Sequence, residues 1–200
     1  MLTVIVTGSI GGGKSAVCAL LSKRGIPVYD SDSRTKALYD SVPGLVARLE
    51  EALGARFSLP DGSLDRSALA ALLFSDEAAR EKLEAVVYPL VRKDFEAWRD
   101  SQKNVPFVVL ESAVILSKPI FDGLADYVVA VTAPEDVRLS RLIARGLTEE
   151  DALRRMASQS IDLSRADAII ANDGTLRDLS RNVNRVFFGK NSYICRLENK

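Results

Sequence analysis

The sequence predicts an α/β protein built on a parallel sheet, and three observations lead there. Five short apolar, β-branched runs alternate with helical patterns, a glycine-rich loop follows the first run, and every run ends in polar or turn-forming residues. The first run, residues 2–6, stops at the glycines and reads as a buried strand. Residues 15–23 then read as a helix through Val17, Ala19, Leu20 and Leu21, closed by Gly25 and Pro27. A second strand over 26–29 delivers Asp30 and Asp32 at its end. Later strands are read over 106–110, ending at Glu111, over 127–131, ending at Thr132-Ala133-Pro134, and over 168–171, ending at Asn172-Asp173-Gly174.

The alternation is broken once. Between Arg34 and Lys103 only helical periodicity is legible, through Leu69, Leu72 and Leu73, then Leu83, Val86, Val87, Leu90 and Val91. This stretch reads as a helical insertion. Pro89 is expected to kink or divide its second helix, and residues 59–63 (Leu-Pro-Asp-Gly-Ser) read as a turn. Near the end, Leu176, Leu179, Val183 and Val186 share one helical face.

Composition narrows the function. The 200 residues are 47% hydrophobic, which supports one compact core with a smaller insertion. Lys+Arg and Asp+Glu are both 27, so the formal net charge of zero gives no footprint for nucleic acid or a polybasic membrane anchor. There is no histidine, which excludes a His-dependent triad, a His-Glu zinc site and an imidazole base. Cys18 and Cys195 stand far apart without a CxxC motif, the pattern of a reducing cytosol. Cys18 reads as a small apolar side chain packed inside the first helix. The N-terminus lacks the basic start and long apolar stretch of a signal peptide or membrane span.

Residues 8–15, Gly-Ser-Ile-Gly-Gly-Gly-Lys-Ser, match G-x-x-x-x-G-K-[ST] between a strand and a helix. Glycines allow the backbone to turn its N–H groups inward around phosphate oxygens, and the helix start adds its positive dipole end. Lys14 reaches the β- and γ-phosphates in such a loop, and Ser15 supplies an oxygen to Mg²⁺. Asp30 and Asp32 lie at the strand edge where open α/β sheets bind ligands. Asp32 there suits a base for an attacking hydroxyl, and both residues equally suit a helix cap. Glu111, at another strand end, fits either a Mg²⁺-holding acid or a turn carboxylate. Arg138, Arg141 and Arg145, spaced for one helical face, suit either transferred phosphate or solvent. Gly146 and the acidic helical segment after it read as a mobile lid.

Taken together these residues resemble the dephospho-CoA kinase family, which has a P-loop kinase fold related to nucleoside monophosphate kinases. Beyond the phosphate loop, the resemblance rests on residues 25–32 (Gly-Ile-Pro-Val-Tyr-Asp-Ser-Asp), residues 61–66 (Asp-Gly-Ser-Leu-Asp-Arg), Leu69, Phe74 and Tyr88-Pro89. It continues through Arg141, Arg145, Gln159, Ala166-Asp167 and residues 172–174. It implies a three-layer α/β/α P-loop NTPase core with a five-stranded parallel sheet over residues 1–33, 104–137 and 166–200. A helical dephospho-CoA-binding insertion over 34–103 and a lid over 138–165 complete the expected organisation.

The implied activity is ATP-dependent phosphorylation of the ribose 3′-hydroxyl of dephospho-CoA, with Mg²⁺, in the cytoplasm, by a monomer or weak homo-oligomer. By the same resemblance Asp32, Lys14 and Arg141 are catalytic, with Asp32 the base. ATP falls to Gly8, Gly11, Gly12, Gly13, Lys14, Ser15, Ala16, Arg141 and Arg145, with Asn172 and Gly174 on the adenine side. The acceptor falls to Asp32, Arg66, Tyr88 and Glu111, and Mg²⁺ to Ser15, with Glu111 acting through water. The chain departs from the family in having Tyr88 where His is usual and Ser117 where Glu is usual, while an upstream acid is kept as Glu111. Another small-molecule or nucleoside monophosphate kinase, and a weakened paralogue that binds CoA or ATP, are the rival readings. A GTPase switch is disfavoured because the chain has no N-K-x-D motif.

Overall fold

The computed structural model describes residues 1–159, 161–189, 192 and 194. Cys195 lies outside the described residues. The chain divides into two compact units, residues 1–30 with 102–200, and residues 31–101.

The first unit carries β1 (Leu2–Thr7), β2 (Val28–Asp30), β3 (Phe107–Glu111), β4 (Tyr127–Thr132) and β5 (Ala168–Ala171). They form one sheet in the order β2-β3-β1-β4-β5, and every pairing is parallel. The sequence-based expectation of five parallel strands is therefore met. β1 is central and buried from Thr3 to Thr7, as a strand covered on both faces requires. Helices α1 (Lys14–Ser22) and α8 (Leu176–Val183) pack together, and the core around them includes Val17, Leu21, Phe107, Leu179, Val183 and Phe187. Phe107 stacks on Phe187 with ring centroids 5.8 Å apart.

Two carboxylates fix the sheet's register at the strand starts. Asp126 Oδ2 accepts from Thr3 N at 2.7 Å while Asp126 N donates to Thr3 O at 2.9 Å. Asp167 repeats this one strand over, accepting from Val128 N at 2.8 Å and donating to Val128 O at 2.9 Å. A slip by one residue would turn each strand's apolar faces over, so these clamps set which residues reach the opposite edge. With Val6 beside Glu111, Asp30 beside Glu111 and Thr132 beside Ala171, all five strands end on that edge. Helices α6 (Glu135–Ala144) and α7 (Glu149–Ala157) follow β4 and share a small core of Leu142, Ala152 and Met156, against which Ile10 packs.

The second unit is helical: α2 (Ser31–Ser41), α3 (Leu45–Leu53), α4 (Arg66–Ser75) and α5 (Glu77–Ser101). α5 is its spine, packed by the other three. Ala79, Leu83, Val87, Val91 and Phe95 recur every four residues along it, giving one buried stripe. Asp65 and Asp76 accept from Ala68 N and Ala79 N at the starts of α4 and α5. The turn over 59–63 forms around Asp61, whose Oδ1 accepts from Ser63 N at 2.9 Å, with Gly62 at φ 84°.

Of the two outcomes expected at Pro89, division of the second helix does not occur: α5 runs unbroken for 25 residues. Proline removes the N–H that Ala85 O would receive. Ala85 and Pro89 are both exposed, so water can satisfy that carbonyl, and burial of Val87 and Val91 holds the flanking turns.

Replacing Pro89 by Ala restores that hydrogen bond and is expected to stabilise the chain by about 1–3 kcal/mol, read from the denaturant midpoint. A pH effect is expected at Glu50, whose carboxylate accepts from Phe57 N at 2.7 Å and Ser58 N at 2.6 Å. The Phe57 N–H and then the Ser58 groups hold its pKa below the usual value. Its stabilisation is thus complete above the unfolded carboxyl pKa and lost as pH falls through the lower folded one. Glu50→Gln is expected to flatten the acid side of the stability–pH curve, measured by thermal unfolding between pH 3 and 7.

Candidate functional site

The glycine-rich loop follows β1 at the sheet's carboxyl edge. Its backbone is turned by Gly8 at φ 153°, Gly11 at 77° and Gly13 at 102°. These conformations strain any residue with a Cβ. Space is as tight as conformation: a Cβ on Gly8 would lie 2.3 Å from Val131 O, on Gly11 2.8 Å from Arg138 O, and on Gly13 1.9 Å from Asn172 Nδ2.

The loop's carbonyls are held by surrounding groups. Gly8 O accepts from Lys14 Nζ at 2.7 Å, Ser9 O from Gly12 N at 2.9 Å, and Gly11 O from Arg141 Nη1 at 3.3 Å. Gly12 O accepts from Asn172 Nδ2 at 2.9 Å, and Gly13 O from Ala16 N at 3.1 Å and Val17 N at 3.2 Å. Arg141 also donates through Nη2 to Asn172 O at 2.9 Å, so loop, α6 and the end of β5 form one network. Ile10 N donates to Gln159 Oε1 at 2.9 Å, a contact that sequence reasoning did not assign as part of the site.

At the start of α1, Ser15 Oγ donates to Glu111 Oε1 at 2.7 Å. These two oxygens, one of them charged, are the hard donors Mg²⁺ prefers, so the residues present fit that ion. Cys18 lies one turn further along α1, 4% exposed. Burial first, then the nearby Glu111 carboxylate, push its thiol pKa far up. The thiol therefore keeps its proton. The expectation that Cys18 is buried holds, but its nearness to Glu111 was not foreseen. Its spacing of three from Ser15 was the available signal.

The other expected residues fall as follows. Ala16 lies in the first turn of α1, half-buried. Arg138 lies against the loop through its backbone and Cβ. Arg145 is the exposed C-cap of α6, one residue past the helix that carries Arg141. Gly174 sits against Asp178, whose carboxylate completes the α8 capping box with Thr175. The Asn172 side chain is 7% exposed and engaged with the loop. Ser117 Oγ donates locally to Val114 O.

In the second unit, Asp32 lies in the first turn of α2, which begins one residue after β2. Arg34 of the same helix makes a two-pronged pair with Asp94 of α5, at 2.9 and 2.8 Å. Arg66 donates to Asp40 Oδ2 at 2.8 Å and to Lys36 O at 3.2 Å, so its guanidinium lies against α2. Tyr88 donates to Glu84 Oε1 at 3.1 Å.

Gly13→Ala is expected to break the Asn172–Gly12 bond and weaken ATP binding by at least ~10-fold, because it combines left-handed strain with an orphaned buried carbonyl. Isothermal titration with a non-hydrolysable ATP analogue checks it.

Comparison with known proteins agrees with this geometry. The family model described as dephospho-CoA kinase matches residues 2–178. The chain is 40% identical over 191 residues to a dephospho-CoA kinase of Frankia casuarinae, covering 94% of this chain and 82% of that one. It is 41% identical over 169 residues to one of Porphyromonas gingivalis, covering 84% and 82%. Among solved structures it is similar to TT1252 from Thermus thermophilus, at TM-score 0.78 and 35% identity over 92% of this chain and 94% of that one. A dephospho-CoA kinase from Campylobacter jejuni, at TM-score 0.62 and 23% identity over 92% and 94%, shares the fold. A phosphate loop on a five-stranded parallel sheet, matched over nearly its whole length, places this chain in the dephospho-CoA kinase family.

Proposed function

We propose that this enzyme transfers the γ-phosphoryl group of ATP to the ribose 3′-hydroxyl of dephospho-CoA, giving coenzyme A and ADP. The observation that carries the reading is the phosphate loop, its carbonyls bound by their surroundings, in a chain of this family. The transfer is a direct in-line displacement. The bond from the γ-phosphorus to the β–γ bridging oxygen breaks, its electron pair leaving with ADP, as the bond to O3′ forms. Asp32 accepts the proton of the 3′-hydroxyl.

The loop residues Gly8, Gly11, Gly12 and Gly13, with Ser15 and Ala16 at the helix start, cradle the phosphates. Lys14, Arg141 and Arg145 neutralise charge on the transferred group. Ser15, with Glu111 acting through water, would hold Mg²⁺, which would supply charge neutralisation to the nucleotide phosphates. The residues after β5, Asn172 to Gly174, border the adenine, and Arg66, Tyr88 and Glu111 serve the acceptor. We read residues 34–103 as the acceptor-binding part and 138–165 as the lid that excludes water. The enzyme is read as cytoplasmic, a monomer or weak homo-oligomer, with no nucleic acid or membrane partner.

The test is ADP release with Mg·ATP and dephospho-CoA, AMP or adenosine in parallel. Turnover of dephospho-CoA alone is expected, and Asp32→Asn is expected to lower kcat by about 10²–10⁴-fold while ATP binding stays unchanged. Preferred turnover of AMP or adenosine overturns the substrate. An active Asn variant overturns the base.

A further inference from the structure

Residues 9–12 form a tight turn within the phosphate loop, closed by Gly12 N donating to Ser9 O at 2.9 Å, with Gly11 at φ 77° in its third place. Such a turn uses only the N–H of its fourth residue, so the Ile10 N–H at the second place needs a partner from outside. Gln159, two residues past α7, supplies one: its Oε1 accepts from Ile10 N at 2.9 Å. Gln159 N donates to Met156 O at 3.4 Å, which ties it to the last turn of that helix. The Ile10 side chain packs against the core of Leu142, Ala152 and Met156 formed by α6 and α7. Backbone and side chain of one loop residue are therefore both held by this helix pair.

The two halves of the loop meet different phosphates. Residues 13–16 lie at the start of α1, where N–H groups and the helix dipole serve the phosphates that a diphosphate already has. Lys14, which in this motif reaches the β- and γ-phosphates, extends back across the loop to donate to Gly8 O at 2.7 Å. The γ-phosphate end of the site is therefore the first half of the loop, residues 8–11. That half is the one held by α6 and α7: Gly11 O accepts from Arg141 Nη1 at 3.3 Å, and Ile10 N donates to Gln159. Arg141 brings a charge as well as a bond, so its loss would mix two effects. Gln159 is neutral and isolates the bond.

We propose that Gln159 is a positioning residue for the γ-phosphate: by holding the Ile10 N–H it keeps the first half of the loop in its binding shape before nucleotide arrives, and so favours a triphosphate over a diphosphate. The inference rests on the reading of this loop as the ATP site. A segment already held in shape loses less conformational freedom on binding, and only a ligand that reaches the segment benefits. ATP reaches residues 8–11 with its last phosphate. ADP ends short of them.

Isothermal titration of the full chain with ADP and with a non-hydrolysable ATP analogue, each with Mg²⁺, tests this, together with hydrogen exchange at the Ile10 amide followed by NMR. Gln159→Met, close in size but without the amide oxygen, is expected to weaken the analogue about 10-fold and ADP by less than about 2-fold, the range for a donor left without its partner. Exchange at the Ile10 amide is expected to speed up in the same variant. Gln159→Glu, whose carboxylate still accepts from that N–H, is expected to keep the amide protected. A purely structural role would weaken both nucleotides alike, or lower the melting temperature and leave both affinities unchanged, and either result overturns the proposal. Fast exchange of the Ile10 amide in the wild type overturns it too, with no variant needed. Failure of the wild type to bind either nucleotide overturns the parent reading together with it.

Discussion

A loop that offers several N–H groups to one anion must turn its carbonyls the other way, and a buried carbonyl without a donor costs about as much as a lost hydrogen bond. This constraint organises the first unit. Gly8 O is held by Lys14, Ser9 O by Gly12 N, Gly11 O by Arg141 and Gly12 O by Asn172. Two of these four donors come from distant sequence, one on α6 and one just past β5. The loop's shape therefore depends on β4 lying beside β1, and β5 beside β4, in correct register. The carboxylate clamps of Asp126 and Asp167 at the opposite ends of those strands serve that register.

The same logic explains how the helix after the loop is held. Ser15 at the start of α1 donates to Glu111 at the end of β3. Cys18, one turn further on, is buried and its pKa is driven up by that burial and by the Glu111 carboxylate, so it adds no second charge beside it. α1 is thereby tied to a strand end by a hydrogen bond as well as by apolar packing, and Lys14, the first residue of that helix, inherits its position.

Much of this was legible in the sequence because it rests on local rules. β-branched runs, the loop motif and the helical periodicity of Leu83, Val87 and Val91 reflect strand propensity, backbone conformation and amphipathicity, each visible in a short window. What was not legible depends on pairing across the fold. Gln159 meeting Ile10, Cys18 lying near Glu111 and Asn172 meeting Gly12 involve residue types that are ordinary in isolation. Their roles appear only when strand order is known. At Pro89 the local rule allowed a division of the helix that does not occur, because a stripe of buried side chains holds the turns on both sides of it. Ala166-Asp167 stood in the sequence as a family mark without a cause, and the Asp167 clamp on Val128 supplies one.

Charge shows why summed properties conceal a site of this kind. A chain with formal net charge zero has little long-range pull on a polyanionic nucleotide. On the proposed function, affinity is supplied by short-range groups that keep their direction: the N–H dipoles of the loop, Lys14, and Arg141, which is fixed by two carbonyl bonds. Groups held this way need little reorganisation when charge develops on a phosphoryl group, whereas a diffuse basic surface would have to order its side chains and compete with salt. The fold thus achieves locally what its composition does not announce. The constraint on loop carbonyls is the reason: the same Arg141 that satisfies Gly11 O is, by that bond, held beside the loop as a cation.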